Sequence, residues 1–202
     1  MTSQSSSQGS SGTESPYSPD SLQGHFLISM PHMDDQNFDH TVTFICDHNE
    51  YGAMGIVVNR PLELELDALL QQLDMTPPPE LASVPVYAGG PVQCDRGFIL
   101  HRPNASDWSS SFAISDQLSL TTSTDILSAI ADSKGPDEYL VALGYAGWGA
   151  GQLEQELIDN AWLSCPANLD IMFRTPAADR LQAAASSLGV NLDLLTGQSG
   201  HA

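Results

Sequence analysis

The chain predicts an α+β fold with a largely antiparallel sheet, and three observations lead there. Apolar runs of strand length crowd the first half of the sequence and mix with helical patterns only later. Two of the early runs flank a short Asn/Gly-containing turn, which is the signal of an antiparallel hairpin. Strands and helices never settle into the β-α-β-α alternation that a parallel sheet needs. With 202 residues, the chain fits one domain that buries a real core.

Residues Met1 to Ser21 are rich in Ser, Gln and Gly, with two prolines and almost nothing apolar. A segment of that composition cannot offset the entropy of ordering it. Residues 1–23 therefore read as a disordered tail and residues 24–202 as the domain. The run from His25 to Met30, closed by Pro31, reads as a buried strand. Thr41 to Cys46 is a second strand and Ala53 to Val58, interrupted by Gly55, a third, with Asp47 to Gly52 as the turn between them. Leu62 to Leu73 carries Leu64, Leu66, Leu69, Leu70 and Leu73 with acids in its first turn, the pattern of a short helix. Pro77-Pro78-Pro79 is a rigid connector. Val84 to Ala88 and Gly97 to His101 are strands on either side of Gly89-Gly90-Pro91, and Leu118 to Thr121 is a weaker one. Ser123 caps a helix running to about Ala131. Tyr139 to Tyr145 is the most apolar strand, followed by the glycine-rich stretch Gly147 to Gly151 and a helix from Gln152 to Trp162. Leu169 to Phe173 reads as a late strand, and Thr175-Pro176 opens a last helix, Thr as N-cap and Pro at the first position, that closes at Gly189.

Charge narrows the function. There are 25 Asp and Glu against 6 Lys and Arg, a formal net charge of −19. Such a surface repels phosphate backbones at long range. Lys134, Arg174 and Arg180 are scattered, so only Arg60, Arg96 and Arg102 remain to form a small positive spot. Direct nucleic-acid binding is disfavoured, and an acidic, lysine-poor surface also serves plain solubility. Cys46, Cys94 and Cys165 are far apart and form no CxxC pair, so a disulfide framework or zinc ribbon is not expected. The N-terminus lacks a basic, apolar signal and no run approaches the ~18 apolar residues of a membrane helix, so cytosol is the expected compartment.

Several segments resemble the bacterial AlgH/YqgE family. They are Gly24-His25-Phe26-Leu27-Ile28-Ser29 with Pro31 and Met33-Asp34, His48-Asn49-Glu50-Tyr51-Gly52-Ala53-Met54-Gly55, and Val58-Asn59-Arg60-Pro61. Further along come Tyr87-Ala88-Gly89-Gly90-Pro91-Val92, Leu100-His101, Leu143-Gly144-Tyr145-Ala146-Gly147-Trp148, and Gly151-Gln152-Leu153-Glu154-Gln155-Glu156-Leu157. Any one of these is weak; all of them in family order, from Gly24 to about Phe173, are specific. The resemblance implies a single α+β domain whose bent sheet closes toward a pseudo-barrel with flanking helices. It also implies a bacterial protein with a link to regulation of alginate synthesis, in a family whose members carry the label of transcriptional regulators. It brings no agreed active site, so no catalytic residue carries over.

The ligand-binding candidates are Asn59, Arg60, Gly89, Gly90, His101, Gly147 and Trp148. Arg60 ends the third strand, where its guanidinium suits a bound anion or an internal acid such as Glu63; the internal pair is preferred. Gly89-Gly90-Pro91 lets backbone approach a ligand or another strand, and the structural bend is preferred. His101-Arg102 offers acid–base or anion contacts, but no nucleophile motif accompanies it. Gly147 to Gly151 stands where backbone amides hold phosphates, yet it lacks GxGxxG spacing and the following Glu154 and Glu156 repel an anion. A tight turn with Trp148 packed beside it is preferred, and Trp148 and Trp162 are expected in or against the core. Cys46 and His48, with His40, His25 or His32, have the makings of a metal site, but a buried Cys and a hydrogen-bonded turn His are preferred. No metal and no cofactor are expected.

The favoured reading is a non-enzymatic binding or regulatory module that acts through a protein partner or small ligand and not by direct DNA contact. The alternative is a small-molecule or nucleotide-binding enzyme with a shallow site near Arg60, His101 and the glycine-rich loops. A cleft where Arg60, His101 and Gly89 or Gly147 converge would favour the alternative.

Overall fold

The computed structural model describes residues 21–104 and 106–192, so residues 1–20 of the tail expected over residues 1–23 lie outside the described residues. Residues 21–23 lie inside them and touch the domain. The Ser21 hydroxyl donates to the His48 carbonyl and the Leu22 amide to His48 Nδ1, at 3.0 and 2.9 Å.

Ten strands are present among the described residues: β1 His25–Ser29, β2 Val42–Asn49, β3 Gly52–Val57, β4 Pro61–Glu65, β5 Pro85–Ala88, β6 Val92–His101, β7 Ser111–Ser115, β8 Leu118–Thr121, β9 Tyr139–Gly149 and β10 Trp162–Pro166. The helices are α1 Leu66–Gln72, α2 Asp125–Ala131, α3 Gln152–Ile158, α4 Leu169–Arg174 and α5 Arg180–Ser187, with 3₁₀ turns at Pro79–Ser83 and Ala177–Asp179. Along the sheet the order is β10-β1-β2-β3-β9-β6-β8-β7, every neighbour antiparallel. β4 pairs β5, and β5 joins β9 in the one parallel pairing of the described strands. The fold is α+β, a single domain whose sheet curls into a half-barrel.

Strand β9 is the spine. Its first half pairs with β6 on one side and β5 on the other, and its last residues, Ala146 to Gly149, pair with β3. Side chains alternate across a strand, and here both faces are covered. Phe26 and Ile28 of β1 enter a core cluster with Phe44, Leu100, Met172 and Ala184, where α4 and α5 pack. Leu27 between them enters a different cluster with Ile45, Trp148, Leu153 and Trp162. A third cluster seats α1 and α2 on Val86, Ile99 and Val141. Burial on both faces explains why β1 reads as a continuous apolar run. Each such side chain, fully out of water, contributes about 1.5–3 kcal/mol.

At the crossing of β9 with the β5–β6 connection the backbones nearly touch. A Cβ on Gly90 would sit 2.1 Å from the Tyr145 carbonyl carbon, and one on Gly144 would sit 2.4 Å from the Gly90 oxygen. Gly144 also has φ 74°, a conformation that favours glycine.

Several expected elements differ. Leu62 to Leu73 is not one helix: the alternation Leu62-Glu63-Leu64-Glu65 forms β4, led by Pro61 as an edge strand permits, and α1 starts only at Leu66. Leu169 to Phe173 is the helix α4, not a strand. Asn168 Oδ1 accepts from the Asp170 amide at 2.9 Å, with Asp170 in the first turn and Arg174 in the last. The helix from Gln152 stops at Ile158; Asn160 turns left-handed at φ 57° and releases Trp162 into β10 against β1. β7 carries no signal strong enough to stand out, and its pairing with β8 decides it. Ser123 does not cap α2. Thr124 holds the cap position, and the Ser123 hydroxyl donates to Asp125 Oδ1 at 2.5 Å instead. Thr175 is no cap either, since a 3₁₀ turn intervenes before α5. Gly147 to Gly149 lies inside β9, leaving only Ala150 and Gly151 as the turn.

Candidate functional site

The polar candidates at the end of β3 serve the fold. Asn59 Oδ1 accepts from the Val42 amide at 2.8 Å, and its Nδ2 donates to the His40 carbonyl at 3.0 Å. Arg60 clamps the loop before β2, donating to the carbonyls of Gln36, Asn37 and Asp39 at 3.2, 2.7 and 2.8 Å. Those carbonyls take the place expected for an acid such as Glu63. Gly89 is locked into the sheet: its amide donates to Leu143 and its carbonyl accepts from Val57, both at 2.8 Å. Gly90 follows at the crossing described above.

His101 is buried, 2% exposed. Its Nδ1 lies 2.9 Å from the Arg102 carbonyl and its Nε2 2.8 Å from Thr121 Oγ1. Burial holds its pKa below the usual imidazole value. The neutral ring that results donates from Nδ1 to the Arg102 carbonyl, with Nε2 facing the Thr121 hydroxyl oxygen. None of the four clefts described below is lined by Asn59, Arg60, Gly89, Gly90 or His101. The convergence of Arg60, His101 and a glycine loop does not occur in them.

Cys46 sits at a bulge in β2 between Ile45 and Asp47, while His48 stays in register opposite Ala53 of β3. Cys46 points into the core, where burial pushes its thiol far up. His48 accepts the Leu22 amide at Nδ1, and its Nε2 lies 2.7 Å from Glu154 Oε1. Among the described residues no group of three or more His, Cys, Asp or Glu is arranged to hold a metal.

Gly147 and Trp148 do line clefts. At the Gly149 end of β9, a cleft of about 360 Å³ lies between α3 and the loop before β2. Its floor is aromatic. Phe38 stacks on Trp148 with centroids 6.0 Å apart, and Trp162 meets both rings edge-on at 5.5 and 6.0 Å. Both indole N–H groups donate to one oxygen, Glu156 Oε2, at 2.9 and 2.8 Å. Gln152 Nε2 donates to the other carboxylate oxygen at 2.9 Å. Asp34, Asp35, Asp159 and His32 also line the cleft, and its lining contains no Lys or Arg. Strand pairing occupies Gly147 to Gly149, and the Gly149 amide donates to Gln152 Oε1 at 3.0 Å, so these amides do not form a phosphate cradle. A shallower cleft of about 390 Å³ continues past Trp148 and Gly147 to Asp47 and Tyr51.

At the Tyr139 end of β9, a cleft of about 560 Å³ lies between the β4–β5 arm and the chain linking α4 to α5. It is lined by Arg180, which sequence reasoning counted only as a scattered charge. Arg180 is 5% exposed. Its Nε donates to the Thr175 carbonyl at 2.9 Å, its Nη1 to the Val58 carbonyl, and its guanidinium lies 5.0 Å from the Tyr87 ring centroid. The one available signal was its place between Asp179 and the segment Leu181 to Ala185, apolar but for Gln182. Arg174, at the mouth, is already paired with Glu138 at 2.7 Å and Asp170 at 3.3 Å. The fourth cleft, about 350 Å³, has Met54, Phe98, Phe112 and Tyr145 for walls, with Arg96 and Asp47 also lining it.

The AlgH-like domain family (DUF179) matches residues 26–193 of the chain. A UPF0301 protein from Thioalkalivibrio sulfidiphilus is 58% identical over 177 residues, covering 88% of this chain and 95% of that one. Another from Nitrosococcus oceani is 54% identical over 182 residues, covering 90% and 97%. The solution structure of the AlgH protein from Pseudomonas aeruginosa is 54% identical and superposes with a TM-score of 0.76 over 93% of this chain and 100% of that one. A crystal structure from Corynebacterium diphtheriae, 20% identical, shares the fold with a TM-score of 0.67 over 85% and 90% of the two chains.

Proposed function

The chain belongs to the AlgH-like family, and on that premise we propose that it is a binding module with a regulatory role, which takes a basic segment of a protein partner in the cleft beside Trp148 and does not contact DNA directly. One observation carries the reading: the cleft has an aromatic floor of Phe38, Trp148 and Trp162 and a rim of Asp34, Asp35 and Asp159, with no cation in its lining. Ring faces attract Lys and Arg side chains by about 0.5–2 kcal/mol, more where water is excluded. Glu156 is engaged by both indoles and Gln152, so it fixes the floor, while the aspartates supply the outward field. That field steers basic partners and rejects polyanions.

The enzymatic alternative has less support. Arg60 and His101 are spent on internal hydrogen bonds, and neither lines a described cleft.

The test is a titration of Lys/Arg-rich and Glu-rich peptides followed by tryptophan fluorescence. Saturable quenching by the basic peptide alone, weakened by salt and by Asp34→Asn with Asp35→Asn, is expected. Equal responses to both peptides, or none to either, would remove the reading.

A further inference from the structure

We propose that the cleft at the Tyr139 end of β9 binds the anionic head, phosphate or carboxylate, of a small organic molecule, with Arg180 as its anchoring cation. The argument begins from an electrostatic deficit. A buried guanidinium is costly unless it is paired and its donors are satisfied. Among the described residues no carboxylate lies within 4.0 Å of Arg180, whereas Arg102 and Arg174 both reach Glu138. This is a chain with 25 acids for 6 bases, so an internal counter-ion was available in composition, and none of the described acids serves as one here.

The guanidinium carries five N–H donors. Two of them go to the Thr175 and Val58 carbonyls, and the Tyr87 ring covers the group. The remaining donors belong to a side chain that lines the cleft. Other polar groups there are also able to donate: the hydroxyls of Ser83 and Thr175 and the phenol of Tyr139. Burial raises the Tyr139 pKa, which keeps that phenol protonated. Glu65 is the one acidic residue in the lining and is exposed. One lining therefore holds a buried guanidinium and three hydroxyls able to donate against a single carboxylate, which suits an oxyanion.

Shape sets the rest of the ligand. The cleft holds about 560 Å³, within the roughly 300–1,000 Å³ of small-molecule sites. Apolar side chains, Pro61, Val84, Pro85, Met172, Phe173 and Pro176, share the walls with those polar groups. An anionic head on a flat or apolar body fits, and a bare anion leaves those walls wet.

The experiment is an NMR titration of the full chain that follows the Arg180 Nε–H resonance. The probes are phenyl phosphate, benzoate, inorganic phosphate and benzyl alcohol. Saturable shifts with phenyl phosphate or benzoate, weaker binding of inorganic phosphate and none of benzyl alcohol are expected. The ratio between the first two separates a phosphate head from a carboxylate head. Arg180→Gln should weaken the better probe by ~10-fold or more, the loss of one charge-assisted contact. Should that variant fail to fold, Tyr139→Phe and Thr175→Val keep the shape and should each weaken it several-fold. Binding of benzyl alcohol equal to that of the anions overturns the proposal. So does the absence of any saturable shift, or affinity that these substitutions leave unchanged.

Discussion

At the Gly149 end of β9 a half-buried carboxylate, Glu156, is satisfied by neutral donors, two indoles and an amide, while other carboxylates stay in solvent around it. At the Tyr139 end, eight to ten residues back along the same strand, a guanidinium is carried inside and satisfied in part by neutral acceptors, two carbonyls and a ring face. Neither charge meets an opposite charge of its own chain among the described residues. The difference lies in what faces outward. The first cleft presents acceptors and negative charge; the second presents donors. One strand thus separates two surfaces of opposite preference, held apart by the rigid crossing of Gly90 and Gly144. A net charge of −19 describes neither surface well, because local geometry decides which charges a ligand meets.

The aromatic floor gives the largest expected effect. Trp148 is 6% exposed and touches Phe38 and Trp162. Trp148→Ala should cost ~3 kcal/mol or more, as aromatic truncations in cores do. A chemical-denaturation midpoint that stays in place would show that the acidic end is a surface feature and not part of the core.

Glu156→Leu comes next and tests whether that carboxylate is structural. The change strands two indole N–H groups, and an unsatisfied buried donor costs about 1–3 kcal/mol. A loss of ~2 kcal/mol is expected, together with altered tryptophan fluorescence. A stability gain instead would mean that the indoles find water, and that Glu156 belongs to the ligand and not to the floor.

Asp125 isolates the hydrogen-bond contribution from burial. It is a carboxylate near the start of α2 that accepts the Ser123 hydroxyl at 2.5 Å and the Ser109 amide and hydroxyl at 2.7 and 2.8 Å. The Ser123 contact first, and those of Ser109 after it, hold its pKa down at about 2. A depressed folded-state pKa stabilises fully above the ordinary value of 3.8 and is lost as pH falls through about 2. Asp125→Ala should cost ~1 kcal/mol near neutrality. The difference from the parent protein should shrink below pH ~4 in melts run across that window. A difference that is constant with pH would assign the effect to packing.

How legible all this was depends on which physical signal each residue carries. The hairpin of β2 and β3 and the buried β1 and β9 follow from local pattern and were readable. α4 was not, since Leu169 to Phe173 is a short apolar run whose period is ambiguous and whose N-cap, Asn168, decides it. β10 was hidden because Trp162 continues the helical spacing of α3, and only pairing with β1 overrides it. Of the candidate residues, Gly147 and Trp148 stand at a cleft, and both were visible as part of a glycine-rich segment. Arg60 and His101 looked available because sequence does not show carbonyls or burial. Arg180 was missed for the same reason: its burial without an ion pair among the described residues is a tertiary fact.

The smallest expected effect is on DNA, where none should appear. Specific binders neutralise several phosphates, each with a Lys, an Arg or a well-placed amide. Of the six basic residues, Arg102 and Arg174 share Glu138, Arg60 is bound to loop carbonyls, and Arg180 is inside a cleft. Arg96 and Lys134 remain exposed, on β6 and just past the end of α2. Two cations amid 25 acids do not outline a duplex, and the acidic end of β9 repels one. A fluorescence-anisotropy titration with promoter DNA at ~0.15 M salt should therefore show no sequence-dependent binding. If binding tighter than ~1 μM appears and Arg96→Ala abolishes it, the contrast between the ends of β9 is the wrong frame for this protein. The β6 face, with its apolar cleft beside Arg96, would then be the surface that matters.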